Sequence, residues 1–282
     1  MPDSPHPLMY RPLLEAALRE DLGGLGDLTT DGVVEPAAVA RAELVARSSG
    51  RIAGLGIALD VFTLVDPAVH RQLRLGDGAD VRSGDVLATV AGPARAILTG
   101  ERTSLNLLGH LSGIATATRR LVESIDGTGA VIADTRKTTP GMRALEKYAV
   151  RIGGGKNHRY GLADAVLIKD NHLAVAGGIR VAVERVRRHI GHTIKVEVEV
   201  DDLDQLAEAL EVGVEAVLLD NMTPDEIRRA VEIVDGRVIV EASGGITLES
   251  AAAVAAAGVD VLSVGWITHS APALDVALDM SA

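Results

Sequence analysis

The segment IKVEVEVDDLDQLAEALEVGVEAVLLD, Ile194–Asp220, shows the pattern that decides the fold. It begins and ends with short runs rich in valine, leucine and isoleucine, which are typical of buried β-strands. The stretch between the two runs has apolar residues at helical spacing. A strand, a helix and a second strand in this order predict one unit of a parallel α/β sheet.

The same alternation of short apolar runs and helical patterns continues through most of the chain after Gly129. We predict seven strands, within residues 130–134, 148–152, 164–169, 194–200, 215–220, 238–242 and 260–265. So many units in so short a segment favour a compact or incomplete α/β barrel. A doubly wound open sheet is the alternative, and periodicity alone does not separate the two.

The first part of the chain has a different pattern. Residues 10–20 predict an amphipathic helix, and residues 38–96 contain short alternating segments separated by glycine turns, which predicts a small β-rich domain. A long helix is expected from about Thr99, because Leu105, Leu108, Leu111 and Ile114 repeat at helical spacing.

Composition excludes several classes of function. The 282 residues include no cysteine, so disulfides, thiolate metal sites and cysteine nucleophiles are absent. A net charge of -11 and 2% aromatic residues argue against nucleic acid as a partner. We find neither a signal-peptide pattern nor an apolar run of ~18 residues, so we expect no membrane span and a cytoplasmic protein.

Against this acidic background, one segment is rich in cations. Asp134–Gly161 contains Arg136, Lys137, Arg143, Lys147, Arg151, Lys156, His158 and Arg159. Arg136, Arg159 and the strand-end Lys169, together with His158, suit a substrate that bears several carboxylates, because arginine binds a carboxylate with two parallel hydrogen bonds. Arg143 and Lys147, four residues apart, are interpreted as a solvent-exposed helix face.

Other predicted strand ends carry different chemistry. Glu199 and Asp220 can hold Mg²⁺ or ribose hydroxyls, and alternation places Glu197 on the same face as Glu199. Ser243-Gly244-Gly245 precedes a predicted helix, where glycines let backbone N–H groups approach a phosphate; Gly265 is in a similar position. His172 is interpreted either as a capping residue or as a catalytic acid.

Several long blocks resemble the quinolinate phosphoribosyltransferase family over almost the whole chain. They include ERTSLNLLGHLSGIAT, DTRKTTPGMRALEKYAV, GGGKNHRYGLADAVLIKDNH and VEASGGI. The resemblance implies an α/β fold with an N-terminal α/β sandwich-like domain, residues 1–112, joined by a C-terminal helix within residues 269–282. Residues 113–268 would form a seven-stranded incomplete α/β barrel of the TIM type. The implied reaction transfers phosphoribosyl from phosphoribosyl pyrophosphate to quinolinate, releasing CO₂, with Mg²⁺ required.

The resemblance also implies roles for individual residues. Quinolinate would be bound by Arg136, His158, Arg159 and Lys169, together with Arg102 from a neighbouring subunit of a homodimer or dimer-based hexamer. Lys137, Glu199 and Asp220 would be catalytic and would contact phosphoribosyl pyrophosphate, with the two acids at the ribose or the metal. The 5′-phosphate would be bound by Ser243, Gly244, Gly245 and Gly265.

Three other functions remain open from the residues alone. A related phosphoribosyltransferase would accept nicotinate or another pyridine carboxylate, and would need fewer cations. An aldolase would form a Schiff base on Lys169. A carrier or phosphate-sensing module would use the β-rich segment at residues 77–92.

Overall fold

The computed structural model describes residues 4–281. The helices are α1 Pro7–Leu22, α2 Leu28–Val33, α3 Leu55–Val65, α4 Ala94–Ser124, α5 Arg143–Ile152, α6 Asp170–Ala176, α7 Ile179–His189, α8 Leu203–Val212, α9 Pro224–Val234, α10 Leu248–Ala255 and α11 Trp266–His269. The strands are β1 Val39–Ala46, β2 Gly50–Arg51, β3 His70–Leu73, β4 Asp80–Val81, β5 Val86–Pro93, β6 Val131–Ala133, β7 Val166–Ile168, β8 Val196–Val200, β9 Ala216–Asp220, β10 Ile239–Ser243, β11 Val261–Ser263 and β12 Val276–Ser281. Within this described part of the chain, no helix is both long and apolar enough to cross a bilayer.

The chain forms two compact units. The first runs to Arg119 and also includes residues 138–154 and the segment from Ile267 onward; the second comprises residues 120–137 and 155–266. The two predicted domains, residues 1–112 with 269–282 and residues 113–268, remain a prediction. The compact units differ from them chiefly because residues 138–154, which contain α5, group with the first unit.

The first unit is built on a four-stranded sheet in the order β12–β1–β5–β3, whose neighbouring strands are antiparallel. Alternate residues of β1, namely Ala42, Leu44 and Ala46, are fully buried. They join a core that includes Phe62 of α3 and Leu108 of α4. The predicted β-rich domain is therefore present, but it also contains α3. This helix is apolar on nearly all sides, so it lacks the one-sided pattern that identifies a surface helix.

The predicted C-terminal helix is wrong, because the last element is the strand β12. It pairs antiparallel with β1, from Ala46 opposite Val276 to Arg41 opposite Ser281. In the sequence Val-Ala-Leu-Asp-Met, larger apolar residues stand at every second position, which suits a strand at the edge of a sheet. Pairing with β1 gives the backbone N–H and C=O groups of this segment hydrogen-bond partners, as a short helix would do within the segment itself.

The segment before β12 runs so close to α4 that one helical position must be glycine. A Cβ atom added at Gly113 would lie 2.2 Å from the carbonyl oxygen of Pro272 and 3.0 Å from Cα of Ala273. Both neighbours are backbone atoms, so a side-chain rotation cannot relieve the overlap. The glycines of the sequence GHLSG thus allow the chain end to pack against the helix.

We expect Gly113→Ala to lower the free energy of unfolding by about 1–3 kcal/mol, the usual cost of overpacking a well-packed site. Gly56→Ala, in α3, is the matched control, since its Cβ would meet nothing within 4 Å. Alanine stabilises a helix by roughly 0.5–1 kcal/mol relative to glycine, so Gly56→Ala should be neutral or stabilising. Denaturant unfolding of both variants checks the prediction, and equal stabilities would contradict it.

Helix α5 corrects two predictions. Residues 148–152, expected as a strand, are the last turns of this helix. A largely apolar run of only five residues does not distinguish a buried strand from a buried helix. The expected solvent-exposed face is also wrong, because Lys147 is only 1% exposed and Arg143 is half-buried, with its Nε donating to Thr138 Oγ1 at 3.0 Å.

The second unit contains a parallel sheet in the order β6–β11–β10–β9–β8–β7. Successive strands after β7 are neighbours and are connected through helices, as expected for an α/β barrel. Six of the seven predicted strands are present. The strand predicted at residues 148–152 is not formed, and β6 instead has a single parallel bridge between Ala133 and Lys156. The α/β class with an incomplete barrel is confirmed, with six strands instead of seven.

Candidate active site

Side chains at the carboxyl ends of all six strands of the second unit line one cavity of about 590 Å³. A parallel sheet places these ends at one edge, and curvature of the sheet brings them around a common space. The lining residues are Thr135, Arg136, Lys137, His158, Arg159, Leu167, Lys169, Glu199, Leu218, Asp220, Asn221, Glu241, Ser243, Gly244, Gly245 and Ser263. We call this space the strand-end cavity.

The strand-end cavity brings together every predicted site residue except Arg102 and Gly265. Arg102 is an exposed residue of α4 in the first unit, where it lines a different cavity of about 370 Å³ with Glu20 and Asp21. Gly265 is half-buried between β11 and α11 and is not among the residues that line the strand-end cavity.

Asp134, at the end of β6, connects two cationic segments of the cavity wall. Its carboxylate is fully buried; one oxygen accepts from Asn157 Nδ2 at 2.6 Å and the other from the backbone N–H of His158 at 2.9 Å. Arg136 follows Asp134 closely in the chain, and Arg159 follows His158. One buried carboxylate therefore fixes the start of both segments.

Lys169 and Glu199 form an ion pair at the wall of the cavity. Lys169 precedes α6, and its backbone N–H donates to His172 Nδ1 at 2.9 Å, so His172 is a capping residue. The side chain of Glu199 is 10% exposed and that of Lys169 is 43% exposed. We call Arg136, Arg159 and Lys169, predicted to bind carboxylates, the basic arc, and Glu199 and Asp220, predicted to bind ribose or a metal, the acidic arc. The two arcs meet at this ion pair.

Two arginines bring positive charge into the same region. Burial lowers the pKa of Arg159, and the nearby charge of Arg136 lowers it further. Arg159 is held by a hydrogen bond from its Nη1 to the carbonyl of Ala165 at 3.2 Å. Two neighbouring cations, one of them partly desolvated, form a region in which a bound anion is stabilised.

Below these cations, His158 lies between two buried carboxylates. Its Nε2 is 3.3 Å from Glu197 Oε2 and 3.3 Å from Glu241 Oε2. The backbone N–H of Arg159 donates to Nδ1 of the same ring at 2.7 Å. Nε2 of the ring therefore faces the two glutamates, and Nδ1 faces the backbone of Arg159.

His158 and Glu197 hold their protons more tightly than isolated side chains do. Hydrogen bonds to Glu197 and Glu241 raise the pKa of His158 to about 10, and burial raises the pKa of Glu197. Interacting groups titrate as a set, so both shifts describe one cluster with an increased affinity for protons. The contacts at Nε2 place a retained proton between the ring and the glutamates that face it.

The raised pKa of His158 predicts how stability depends on pH. A folded-state pKa of about 10, above the usual value of 6.5, gives stabilisation that is complete below pH 6.5 and is lost as the pH rises toward 10. Between these limits, wild type should lose on the order of a few kcal/mol more stability than His158→Gln. Thermal midpoints of both proteins from pH 6.5 to pH 10 test this, and parallel curves would contradict it.

The loop after β10 offers backbone groups to the cavity. Gly244 and Gly245 have φ angles of 92° and 60°, in the left-handed region that favours glycine. A Cβ on Gly244 would lie 2.2 Å from Asn221 Oδ1, and the backbone N–H of Asn221 donates to Ser243 at 2.9 Å. The loops after β9 and β10 are therefore interlocked, and backbone N–H groups can reach an anion where no side chain intervenes.

Two sets of residues are candidates for a metal. Glu199 and Asp220 present carboxylate oxygens to the strand-end cavity, the donors that Mg²⁺ prefers beside water and phosphate oxygens. His158, Glu197 and Glu241 have ligand atoms within 4.8 Å of one another. A histidine ligand binds metal through one nitrogen while the other keeps its proton. Nδ1 of His158 accepts a hydrogen bond instead, which argues against a metal at that cluster.

Comparison with known proteins identifies the family. Residues 27–112 match the model of the quinolinate phosphoribosyl transferase N-terminal domain, and residues 114–279 match that of the C-terminal domain. The chain belongs to the quinolinate phosphoribosyltransferase family. It is 47% identical over 275 residues to the nicotinate-nucleotide pyrophosphorylase [carboxylating] of Mycobacterium leprae, covering 96% of each chain.

Other family members agree in sequence and in structure. A probable nicotinate-nucleotide pyrophosphorylase [carboxylating] of Bacillus subtilis is 44% identical over 274 residues, with 97% of this chain and 94% of the relative covered. The crystal structure of NadC from Streptococcus pyogenes superimposes with a TM-score of 0.95 at 38% identity, covering 99% of both chains. The match to this quinolinate phosphoribosyltransferase fold extends over both compact units.

Sequence reasoning missed three residues that shape this phosphoribosyltransferase cavity. Glu241 stands two residues before Ser243, so alternation along β10 was a usable signal that both face the interior. Asn221 directly follows Asp220, so its place at a predicted strand end was also a usable signal. Nothing in the sequence shows which backbone groups the carboxylate of Asp134 accepts from.

Proposed function

We propose that this protein transfers the phosphoribosyl group of phosphoribosyl pyrophosphate to quinolinate. The products are nicotinate mononucleotide, pyrophosphate and CO₂, in the de novo synthesis of NAD. A single observation supports this most: one cavity combines a basic arc, an acidic arc and a glycine loop. The two substrates carry groups that match these three parts: two carboxylates for the basic arc, a ribose for the acidic arc and a phosphate for the glycine loop.

The basic arc suits the diacid. Arg136 and Arg159 lie near each other, and a pyridine with adjacent carboxylates offers each guanidinium a planar anion. Lys169 adds a point charge at the boundary with the acidic arc, where Glu199 holds it. His158 and its glutamates lie beneath this region, and we assign the ring to the wall of the diacid site.

The acidic arc and the glycine loop suit phosphoribosyl pyrophosphate. Glu199 and Asp220 are positioned for ribose hydroxyls, and their negative charge stabilises the positive charge that develops on the sugar ring. Ser243, Gly244 and Gly245 are positioned for the 5′-phosphate. Mg²⁺ held by Glu199 and Asp220, directly or through water, would neutralise charge on the pyrophosphate.

In the proposed reaction the pyridine nitrogen forms a bond to C1 of the ribose while the bond from C1 to pyrophosphate breaks. Lys137 stabilises the departing negative charge, and the basic arc holds the ring nitrogen in line; such positioning is worth ~7–11 kcal/mol in favourable cases. The ribosylated ring is then cationic at nitrogen. It accepts the electron pair of the bond to the adjacent carboxylate, which leaves as CO₂, and a proton replaces it.

The contacts of Lys169 argue against the aldolase. A Schiff-base lysine needs its amine free to attack a carbonyl, whereas Nζ of Lys169 is paired with Glu199. A phosphoribosyltransferase for nicotinate has one carboxylate to bind, and the basic arc provides more cations than that ligand needs.

We extend the proposal to assembly and location. Arg102 lines a cavity of the first unit and is absent from the wall of the strand-end cavity. A homodimer, or a hexamer built from dimers, in which Arg102 completes the quinolinate site of a neighbouring subunit accounts for that placement. Because both substrates are multiply charged and do not cross membranes unaided, we propose that the enzyme acts in the cytoplasm.

Mixing inactive variants tests the shared site. Arg102→Ala and Lys137→Ala homo-oligomers should each be nearly inactive, and mixing them should restore roughly a quarter of wild-type activity when subunits exchange randomly and each site draws on two chains. The measurement is mononucleotide formation after subunit exchange. A mixture no more active than its components would argue against shared sites.

The proposed function is tested by incubating purified protein with quinolinate, phosphoribosyl pyrophosphate and Mg²⁺, with nicotinate as the competing acceptor. We expect nicotinate mononucleotide and CO₂ in equal amounts from quinolinate, and little product from nicotinate. Efficient use of nicotinate would favour the alternative phosphoribosyltransferase, and no product from either acid would overturn the proposal.

A further inference from the structure

The buried carboxylate of Glu241 is not explained by the stability of the barrel. Glu241 is 4% exposed, and among the described residues no group hydrogen-bonds to its Oε1. An unsatisfied buried acceptor costs about 1–3 kcal/mol. A leucine of similar size would avoid that cost, since apolar groups often replace buried charges without loss of stability.

What Glu241 does contact is the histidine ring below the diacid site. Its Oε2 and that of Glu197 are both 3.3 Å from Nε2 of His158. The two glutamates lie on β10 and β8, with β9 between them, so they approach the ring from two separate strands. A ring held from two sides cannot rotate without losing one of the contacts.

From the ring, the contacts continue to a residue of the basic arc. Nδ1 of His158 accepts from the backbone N–H of Arg159 at 2.7 Å, and the backbone N–H of His158 donates to Asp134 at 2.9 Å. The orientation of the ring therefore fixes the backbone from which the Arg159 guanidinium extends. Glu241 itself lies among the residues that line the strand-end cavity.

The same cluster separates two spaces within the second unit. A second cavity of about 410 Å³ is lined by the first residues of several strands, including Val131, Val166 and Ala216. His158, Arg159 and Glu241 line both this cavity and the strand-end cavity. The ring and its glutamate are therefore the floor on which the diacid site is built.

We propose that Glu241 is a positioning residue for the diacid: with Glu197 it holds the His158 ring by hydrogen bonds, and the ring in turn fixes Arg159. This inference rests on the proposed function, since it concerns the same site. Glu241 acts through other groups, so its effect should fall on diacid binding and leave phosphoribosyl pyrophosphate binding unchanged.

Two substitutions separate hydrogen bonding from simple filling of space. Glu241→Leu removes both oxygens, and Glu241→Gln keeps one acceptor for the Nε2 proton. Asp260→Asn is the matched control, because Asp260 also accepts from β10, at the Val240 N–H at 2.8 Å, but does not line the strand-end cavity.

The probe is phthalate, which has two adjacent carboxylates and no ring nitrogen, so it binds without reacting. We expect Glu241→Leu to raise the Kd for phthalate and the KM for quinolinate roughly tenfold, with the KM for phosphoribosyl pyrophosphate within about twofold of wild type. Glu241→Gln and Asp260→Asn should both stay within about threefold. Wild-type-like phthalate binding by Glu241→Leu, or equal rises in both KM values, would overturn the proposal.

A second measurement does not depend on a variant that folds. In wild-type protein labelled with nitrogen-15 at histidine, we expect His158 to carry a proton on Nε2 throughout the range from pH 6.5 to pH 10, with the signal assigned by its absence in His158→Gln. A ring protonated on Nδ1 alone would overturn the proposal. If wild type makes no mononucleotide, the proposed function fails instead, while ring tautomer and phthalate binding still report on the positioning role.

Discussion

Arg136→Ala should reduce kcat/KM for quinolinate by roughly 30- to several-thousandfold, mainly through KM. Truncating one partner of a hydrogen-bonded charge pair commonly costs about 2–5 kcal/mol. Arg136 lines the strand-end cavity and is close enough to Arg159 to lower its pKa, so the two guanidiniums address one ligand. Steady-state kinetics with each substrate varied in turn is the measurement, and the KM for phosphoribosyl pyrophosphate should change little.

The control for Arg136→Ala is Arg188→Ala, which removes the same charge from the surface of α7, where the side chain is 78% exposed. It should leave both KM values unchanged. Arg136→Lys should recover only part of the loss, because lysine keeps the charge but not the planar pair of donors. A quinolinate KM that is equal in wild type and Arg136→Ala would remove Arg136 from the diacid site.

Most of the site was predictable because a parallel sheet imposes two simple rules. Residues two apart along a strand face the same side, and the carboxyl ends of parallel strands meet at one edge. These rules are sufficient to bring Lys169, Glu199 and Asp220 together from three strands distant in sequence. They also apply to Glu241, which the same alternation places beside Ser243.

The partner that each side chain selects was not predictable in the same way. Nothing in the sequence indicates that Lys169 pairs with Glu199, or that Asp134 accepts from the backbone of His158. Lys147 was expected in solvent and is buried, because helical spacing identifies a face but not what covers it. Such contacts depend on distances across the fold, which local sequence patterns do not contain.

Short elements were the other source of error. The apolar run at residues 148–152 has the composition of a strand but completes a ten-residue helix. Residues 276–281 were expected in a helix but pair with β1. In both cases a run of five or six residues fits either structure, and tertiary packing decides between them.

Gly244→Ala should nearly abolish activity by disrupting the phosphate loop. The residue has a φ of 92°, and an added Cβ would lie 2.2 Å from Oδ1, 2.5 Å from Cγ and 2.9 Å from the backbone nitrogen of Asn221. The loop after β10 must therefore move away from the loop after β9. A displacement of about 1 Å at a binding site can cost roughly a hundredfold in rate, so kcat/KM for phosphoribosyl pyrophosphate should fall by at least that much.

Two further variants show whether the overlap with Asn221 is the cause. At Gly245, φ is 60° and an added Cβ would meet nothing within 4 Å, so Gly245→Ala should pay only the ~1–2 kcal/mol of a left-handed alanine. Asn221→Gly removes the two nearest atoms, and the double variant Gly244→Ala/Asn221→Gly should recover activity relative to Gly244→Ala alone. Additive losses in this double-mutant cycle would show that the loops act independently, and normal phosphoribosyl pyrophosphate kinetics in Gly244→Ala would place the phosphate elsewhere.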